Sequence, residues 1–247
     1  MQPSPREWDA AVYDRVALPH HDWAAVVLDR LELSGDETVL DAGCGSGTVT
    51  EQLLNRLPGG RVVAVDGSAG MLQEARRRLA PSVHQVSFVH ADLAQRLPVQ
   101  PVDAVVSSAT FHWIPDHRAL FTNLADVLRS RGRLSAQCGG AGNGASVQRA
   151  LDELGFAGPD PWHFATPEQT EADLSAAGFV GIQTWLTPAP APIPPQDLEP
   201  YLAAVVLGSH LEQLPEAERH AFVRAVAERL PGPEIDYVRL NLVARLP

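Results

Sequence analysis

The stretch Val39-Leu40-Asp41-Ala42-Gly43-Cys44-Gly45-Ser46-Gly47-Thr48-Val49-Thr50 decides how this chain of 247 residues folds. It predicts an apolar strand that ends in an acid, then a G-x-G-x-G turn and the start of a helix. A second apolar strand, Arg61-Val62-Val63-Ala64-Val65-Asp66, ends in a carboxylate nineteen residues after Gly47. A glycine turn at the carboxyl edge of a parallel sheet cradles a small ligand, and a carboxylate on the next strand is placed to hold ribose hydroxyls. The sequence therefore predicts a site for a nucleoside-containing cofactor.

The spacing of the glycines and the acid before them narrow the kind of cofactor. The third glycine comes one residue earlier than in the G-x-G-x-x-G turn of dinucleotide-binding proteins. Asp41 would also repel a pyrophosphate, which binds the bare N–H groups of such a turn and of the helix that follows. A cofactor with an ammonium group and no phosphate tolerates or uses that acid. The pattern thus favours S-adenosylmethionine over NAD(P), with a tight turn that binds nothing as the structural alternative.

Strand and helix patterns alternate along the chain from Thr38 to Gln137. Alternation of this kind is typical of a Rossmann-like α/β fold, in which helices cover both faces of a doubly wound parallel sheet. We predict strands at about 38–42, 61–66, 85–90, 102–107 and 132–137, and helices at about 47–57, 69–79, 116–129 and 145–154. The glycine turn then lies where the strand order reverses, which is where such sheets bind ligands.

The rest of the chain adds a helical N-terminal segment and a small helical cap to this core. Two short helices are expected on either side of Pro19, and five prolines between Pro188 and Pro195 predict a stiff, extended linker. Two further helices, at about 196–206 and 215–230, look like an insertion that covers the site. We predict a single domain over 1–247, with N-terminal helices at 1–34, the core at 35–187, the linker and cap at 188–231, and a final strand at 232–247.

Four segments, in the right order, resemble the motifs of the class I S-adenosylmethionine-dependent methyltransferases. They are residues 39–47, 65–72, 88–93 and 102–108. Residues 108–117 are in addition similar to the corresponding segment of the trans-aconitate methyltransferase group. The resemblance implies a seven-stranded, mostly parallel sheet whose last strand runs antiparallel, and it implies S-adenosylmethionine as the cofactor.

The resemblance also assigns roles around the cofactor. It implies that the acid and the glycines of the turn wrap the methionine tail, that the second strand's carboxylate binds the ribose, and that the loop after the third strand reads the adenine edge. The implied cofactor-binding residues are Asp41, Gly43, Gly45, Gly47, Asp66, Gly67, Met71, Ala91, Asp92, Leu93 and Ser107. The residues alone leave a helix N-cap as the alternative role of Asp66, and an ordinary turn acid as that of Asp92.

Fewer residues point to the methyl acceptor. His112 and Trp113 follow the fourth strand and border the expected acceptor pocket, where His112 acts as a base, as a hydrogen-bond donor or as a rim histidine. Tyr13 lies in the N-terminal helix that closes over the cofactor in the family it resembles, and a packing tyrosine is its alternative role. We therefore treat His112 and Tyr13 as candidate catalytic residues, and Trp113, Trp162 and Tyr201 as candidate pocket residues. We expect no metal site.

Composition excludes several other classes of function. The formal net charge is −11, and the 19 basic residues are all Arg and mostly scattered, so the chain lacks the basic face that a nucleic-acid partner requires. No apolar run reaches the length of a membrane span, and two cysteines do not make a disulfide scaffold. We expect a cytoplasmic, bacterial protein, a monomer or a homodimer, with a small-molecule partner.

These observations lead to one hypothesis of function and its alternatives. The protein is expected to transfer a methyl group from S-adenosylmethionine to a small molecule, at an oxygen of a carboxylate or hydroxyl group. The alternatives are N- or C-methylation in secondary metabolism, and a non-catalytic or repurposed protein that binds S-adenosylmethionine. The residues that select the acceptor form no motif, so the sequence leaves its identity open.

Overall fold

A computed structural model describes Glu7, residues 20–156, Gly158 and residues 161–247 of the chain. The strands are β1 Thr38–Ala42, β2 Arg61–Asp66, β3 Val86–His90, β4 Val102–Ser108, β5 Leu128–Gly139, β6 Val180–Pro188, β7 Ala191–Pro192, β8 Glu234–Ile235 and β9 Val238–Arg245. Seven of them form one sheet in the order β3-β2-β1-β4-β5-β9-β6. Only β9 runs antiparallel to its neighbours, β5 and β6, in this sheet. The predicted Rossmann-like sheet, with its antiparallel last strand, is therefore confirmed.

Helices cover both faces of the sheet and form the cap. They are α1 His20–Asp29, α2 Thr48–Leu54, α3 Ala69–Arg78, α4 His117–Val127, α5 Ala145–Glu153, α6 Pro167–Ala176, α7 Leu198–Tyr201, α8 Gly208–Leu211 and α9 Glu216–Ala227. A π-helical stretch, Leu202–Val206, continues α7 where one regular helix was predicted. The helix expected before Pro19 lies outside the described residues. Within the described part of the chain, every helix is too short or too polar to cross a membrane.

Strand β1 lies inside the sheet, between β2 and β4, and its side chains contribute to the cores on both faces. Val39 belongs to the same hydrophobic cluster as Val27 of α1 and Leu53 of α2, whereas Leu40 belongs to the cluster that contains Phe121 of α4 and Leu174 of α6. Successive residues of a strand point to opposite faces, so a strand covered on both sides is apolar almost throughout. Asp41 is the one charged residue of β1, and it lies next to the glycine turn.

The order of the strands places that turn at the edge where ligands bind. The chain runs outward from β1 to β3, returns, and continues on the other side through β4 and β5. The connections after β1 and β4 therefore diverge, which opens a crevice at the carboxyl ends of these two strands. The glycine turn and the segment that carries His112 begin at this crevice.

The cap has a hydrophobic core of its own, in which Leu151 of α5 packs with Tyr201, Leu202 and Ile235. The predicted linker is not a free extended segment, because Ala191 pairs with Ile235 in a two-stranded sheet, β7 with β8. This pairing joins the linker to the residues just before β9. Strand β5 also differs from the prediction, since it begins at Leu128 rather than at residue 132.

Candidate active site

Backbone hydrogen bonds hold the glycine turn against the second strand. The N–H groups of Gly43 and Cys44 donate to the carbonyl of Val65 at 2.8 and 2.9 Å. The N–H of Gly45 donates to Oδ2 of Asp66 at 2.8 Å. The turn therefore lies over the end of β2, and the acid predicted to bind ribose also anchors the turn.

The three glycines of the turn are required for different reasons. Gly43, Gly45 and Gly47 have φ angles of 82°, 54° and 90°, a conformation that favours glycine. A Cβ atom at Gly43 would overlap the side chain of Thr110, and one at Gly47 would lie 3.1 Å from Leu79. A Cβ atom at Gly45 would have no heavy atom within 4 Å among the described residues. Gly43 and Gly47 thus allow the turn to pack, whereas Gly45 borders open space.

Asp41 lies fully buried beneath this turn. Its Oδ2 accepts a hydrogen bond from Oγ1 of Thr50 at 2.6 Å, whereas its Oδ1 has no hydrogen-bond partner in the described part of the chain. Burial, helped by the nearby charge of Asp66, raises the pKa of Asp41 from 3.8 to about 7. A buried acceptor without a partner is uncommon in folded proteins. This oxygen suits a ligand that brings a positively charged N–H donor.

Asp66 presents its carboxylate at the end of β2. Oδ1 accepts the N–H of Ser68 at 2.8 Å, while Oδ2 accepts the N–H of Gly45. Burial raises the pKa of Asp66, although these two N–H groups oppose the effect. The N-cap of α3 is Ser68, whose hydroxyl accepts the N–H of Met71 at 3.2 Å, so Asp66 does not have its alternative role. Each of its oxygens keeps a lone pair that a ribose hydroxyl can use.

Glu7 lies at the N-terminus of α3, next to the end of β2, and the sequence analysis did not identify it. Its carboxylate accepts hydrogen bonds from the hydroxyl of Ser68 at 2.8 Å and from the N–H groups of Ala69 and Gly70 at 3.0 and 3.2 Å. These bonds lower the pKa of Glu7 and place a negative charge at the N-terminus of α3, where the helix dipole stabilises it. Because 61 residues separate Glu7 from Ser68, no local pattern could have indicated this contact.

The residues predicted to pack against the adenine lie beside Asp66. Met71 and Leu93 are buried, with 4% and 5% of their surface exposed. Gly67 connects β2 to α3, and its carbonyl accepts a hydrogen bond from the ring of His90 at 2.9 Å. The structure thus brings the predicted adenine and ribose residues to one end of the sheet.

Three other predicted cofactor contacts have roles within the fold. The N–H of Ala91 donates to the carbonyl of Asp66 at 3.1 Å. Asp92 closes a turn by accepting the N–H of Ala94 at 2.9 Å. The hydroxyl of the buried Ser107 donates to the carbonyl of Ala42 at 2.6 Å, which joins β4 to β1. Their contact with a cofactor stays a prediction.

His112 lies in a single 3₁₀ turn, Phe111–Trp113, that follows β4. It is 8% exposed, and its Nδ1 accepts the N–H of Gly139 at 3.3 Å. With Nδ1 as an acceptor, the neutral ring carries its proton on Nε2. This tautomer favours the hydrogen-bond donor among the three roles that the sequence allows for His112.

Ring contacts continue from His112 toward the cap. Phe164 stacks on the His112 ring, with centroids 5.9 Å apart, and on Trp162 at 5.4 Å. Trp162 lies 6.4 Å from Trp113 and 4.7 Å from the ring of His210. We term these five side chains the aromatic wall. The structure brings the predicted pocket residues Trp113 and Trp162 together, whereas the sequence analysis identified neither Phe164, two residues after Trp162, nor His210 of α8.

Tyr201 lies in the core of the cap with 1% of its surface exposed. Its hydroxyl is 2.7 Å from that of Tyr237, and the ring of Tyr237 meets Trp23 of α1 edge to face at 5.3 Å. Burial raises the pKa of Tyr201 well above that of a free phenol. Direct contact between Tyr201 and an acceptor stays a prediction. Tyr13 lies outside the described residues, so its role also stays a prediction.

The groups at this edge fit S-adenosylmethionine. The unpartnered Oδ1 of Asp41 suits the ammonium group of the methionine tail, and Gly45 leaves its backbone open to a ligand. The two oxygens of Asp66 suit the ribose diol. A pyrophosphate would instead meet the carboxyl group of Asp41 beneath the turn, which opposes a dinucleotide. Asp41, the turn and Asp66 are therefore the residues that would hold the cofactor.

The fold and the site define a class of protein. Residues 39–132 match the family described as a methyltransferase domain. These residues are thus similar to an S-adenosylmethionine-dependent methyltransferase domain, and the chain is similar in sequence to the trans-aconitate methyltransferase group.

Individual relatives show how far this similarity extends. Trans-aconitate 2-methyltransferase of Methylobacterium nodulans is 40% identical over 131 residues, which cover 53% of this chain and 49% of that protein, so the matched part spans about half of the relative's length. Trans-aconitate 2-methyltransferase of Yersinia pestis is 29% identical over 254 residues, which cover 98% of this chain and 96% of that protein. Phosphoethanolamine N-methyltransferase 2 of Haemonchus contortus, solved with S-adenosyl-L-methionine, has a TM-score of 0.66 at 18% identity and covers 96% of this chain and 56% of its own. At that identity the structural likeness concerns the fold alone.

Proposed function

We propose that the protein transfers the methyl group of S-adenosylmethionine to an oxygen of a small-molecule carboxylate. The observation that carries the proposal is the buried Oδ1 of Asp41, which has no partner among the described residues and lies beneath a left-handed glycine turn. An ammonium group would donate a hydrogen bond to this oxygen, and Asp66 would accept hydrogen bonds from the ribose hydroxyls. The choice of a carboxylate is supported by the two relatives, each named trans-aconitate 2-methyltransferase.

The residues of the site would bind, orient and exclude water. When bound, S-adenosylmethionine supplies a methyl group that is already activated on a sulfonium sulfur. A carboxylate acceptor is ionised at neutral pH, so no residue has to remove a proton from it. His112, as a donor through Nε2, would orient the acceptor oxygen, and the aromatic wall would keep water from the reacting groups.

The remaining candidate residues surround this centre. Trp113 and Trp162 would line the acceptor pocket, because both belong to the aromatic wall. Tyr201 would support the pocket through its hydroxyl contact with Tyr237, and its contact with the acceptor stays a prediction. Tyr13 is kept as a candidate from the N-terminal segment. The expected partner is a small molecule, and a monomer or homodimer stays our prediction.

The first test is a transfer assay with methyl-labelled S-adenosylmethionine. Trans-aconitate and fumarate serve as carboxylate acceptors, and a phenol and a primary amine serve as matched acceptors of other chemistry. We expect label in a base-labile methyl ester from a carboxylate, and none from the phenol or the amine. Label in an ether, an amine or a carbon-bound methyl group would contradict the carboxylate and favour the alternative acceptors.

A second measurement separates an enzyme from a binding protein. We expect S-adenosylmethionine and S-adenosylhomocysteine to bind in calorimetric titrations, and NAD not to bind. Binding of both without transfer to any acceptor would favour a non-catalytic or repurposed protein. Binding of NAD in their place would contradict the assignment of the cofactor.

A further inference from the structure

The part of the sheet face beneath α1 that β5 and β9 form is largely polar, although a face that a helix covers is ordinarily apolar. Helix α1 does cover it, because the hydroxyl of Ser135 donates to the carbonyl of Val27 and Arg30, just after the helix, donates to Asn241. From Ser135 to the carboxyl end of β5, the residues of β5 and β9 on this face are Ser135, Gln137, Gly139, Arg239 and Asn241, together with Val243 opposite Ser135. The four polar side chains among them are all buried, with exposures of 0 to 6%.

Arg239 places a positive charge on this face. It is 2% exposed, and its guanidinium carbon lies 4.3 Å from the ring centroid of Trp23 and 6.0 Å from that of Tyr237. The hydroxyl of Tyr237 lies 2.7 Å from that of Tyr201, so the Tyr237 ring beside the guanidinium is held by the cap. A guanidinium is costly to bury and binds carboxylates in a planar, bidentate geometry. The setting of Arg239 therefore suits an anionic group.

Arg239 also lies next to the aromatic wall, on the other side of Gly139. Arg239 is the cross-strand partner of Gly139, and directly opposite residues project from the same face with Cβ atoms about 5 Å apart. The N–H of Gly139 donates to His112, and a Cβ atom at Gly139 would lie 2.7 Å from Phe164. Arg239 and the aromatic wall thus lie on either side of Gly139, which has no side chain.

A second group on this face points independently to a ligand. Gln137 is 6% exposed, and its Nε2 donates to Asn241 at 2.8 Å, but its Oε1 is buried without a hydrogen-bond partner in the described part of the chain. Gln137 pairs with Ser108 at the end of β4, which places it between the predicted methyl-transfer site and Gly139. A buried cation and an unused acceptor at one strand end indicate a place for a polar ligand.

We propose that Arg239 determines acceptor specificity by binding a carboxylate of the acceptor other than the one that is methylated. A carboxylate held in a bidentate pair with a guanidinium is a poor nucleophile, because its lone pairs and charge are engaged. The reacting carboxylate therefore lies on the His112 side, and the acceptor has two acidic groups or more. This inference rests on the proposed function and adds to it the residue that selects di- and tricarboxylates over monocarboxylates.

The test compares Arg239→Gln and Arg239→Lys with the matched control Arg30→Gln. Arg30 lies on the same face, 4.8 Å from the ring of Trp185, but further from the carboxyl edge. Trans-aconitate and its neutral trimethyl ester are titrated by calorimetry into each protein saturated with S-adenosylhomocysteine. We expect trans-aconitate to bind at least about tenfold more weakly to Arg239→Gln, with an intermediate loss for Arg239→Lys. Arg30→Gln should stay within about twofold of the wild type.

The other readouts separate this inference from the proposed function. Affinity for S-adenosylhomocysteine should be unchanged in all variants, and KM should rise in Arg239→Gln for trans-aconitate but not for S-adenosylmethionine. The inference is overturned if Arg239→Gln and the wild type bind trans-aconitate equally. It is also overturned if the wild type binds the trimethyl ester as tightly as trans-aconitate, a comparison that needs no variant. A wild type that binds S-adenosylhomocysteine and methylates only monocarboxylates also overturns it, and leaves the proposed function standing. Failure to bind S-adenosylhomocysteine at all contradicts the proposed function instead.

Discussion

Asp66 accepts a hydrogen bond from the glycine turn, and Asp41 lies buried beneath the same turn. Oδ2 of Asp66 accepts the N–H of Gly45 at 2.8 Å, and the charge of Asp66 adds to the burial that raises the pKa of Asp41 to about 7. Two carboxylates this close cannot both be ionised without cost in a buried site. Without a ligand, Asp41 therefore holds a proton under mildly acidic conditions, and a ligand with an ammonium group would displace it.

The first prediction concerns the pH dependence of cofactor binding. Asp41 has to ionise to pair with an ammonium group, so affinity for S-adenosylhomocysteine should rise from about pH 5 to about pH 7 and then level off. Titrations in two buffers of different ionisation enthalpy should show that a proton is released on binding below pH 7. Asp41→Asn should bind more weakly and without this pH dependence. An affinity of the wild type that is flat over the whole range would contradict the role given to Asp41.

The raised pKa of Asp41 also predicts how the stability of the ligand-free protein changes with pH. The pKa of Asp41 is about 7 in the folded protein and near 3.8 in the unfolded chain, so the folded state binds more protons between these values. The free energy of unfolding should therefore fall as pH rises through this window, by up to about 1.4 kcal/mol per pH unit, and stay level above it.

Urea unfolding at several pH values, with Asp41→Asn as the reference, measures this effect. Subtracting the curve of Asp41→Asn from that of the wild type removes the contribution of the other titrating groups. The difference should decline from about pH 4 to about pH 7. A difference that does not change with pH would show that Asp41 is ionised in the folded protein throughout.

A third prediction separates the glycines of the turn. Gly45 and Gly144 both have positive φ, 54° and 64°, and a Cβ atom at either would meet no heavy atom within 4 Å among the described residues. Gly45→Ala and Gly144→Ala should each cost about 1 kcal/mol of stability through backbone strain. Only Gly45→Ala should also weaken binding of S-adenosylhomocysteine, by about tenfold or more, because its methyl group enters the space of the ligand. Gly43→Ala should destabilise the protein most, since its Cβ atom would overlap Thr110.

Thermal unfolding and calorimetric titration of the three variants test this order. Gly144 lies before α5, so its variant carries the same strain away from the turn. Equal loss of binding in Gly45→Ala and Gly144→Ala would mean that strain, rather than contact with the ligand, explains the effect. Unchanged binding in Gly45→Ala would show that the cofactor does not contact the turn at Gly45.

The cofactor side of the site could be predicted because its groups are local in sequence. An apolar strand, its terminal acid and the following glycines fix one another within a few residues, and the next strand must lie alongside. Asp41 and Asp66 therefore come together in any doubly wound sheet with this order of strands. The hydrogen bonds of Asp66 could not be predicted in the same way, because they depend on how the turn folds back over β2.

The acceptor side could not be predicted because distant segments build it. The alternation in Val238-Arg239-Leu240-Asn241-Leu242 predicts one apolar and one polar face, and a polar face ordinarily meets solvent. Here α1 covers the polar face, and only the antiparallel register places Arg239 opposite Gly139. His210 reaches Trp162 through the packing of the cap, which has no periodicity that sequence reasoning can use.

The last prediction decides between a donor and a base at His112. Nδ1 of His112 accepts the N–H of Gly139, so Nε2 is the nitrogen that donates. His112→Gln keeps an N–H donor, and kcat with a carboxylate acceptor should fall by no more than about tenfold, without loss of a limb in the pH–rate profile. Trp113→Phe, which keeps an aromatic ring in the wall but adds no donor, serves as the control for packing. If His112 were a general base, His112→Gln should lose 10²-fold or more, as is typical of such residues, and the acidic limb of the profile should disappear with it. A carboxylate needs no proton removed, so that outcome would also point to a hydroxyl or amine as the true acceptor.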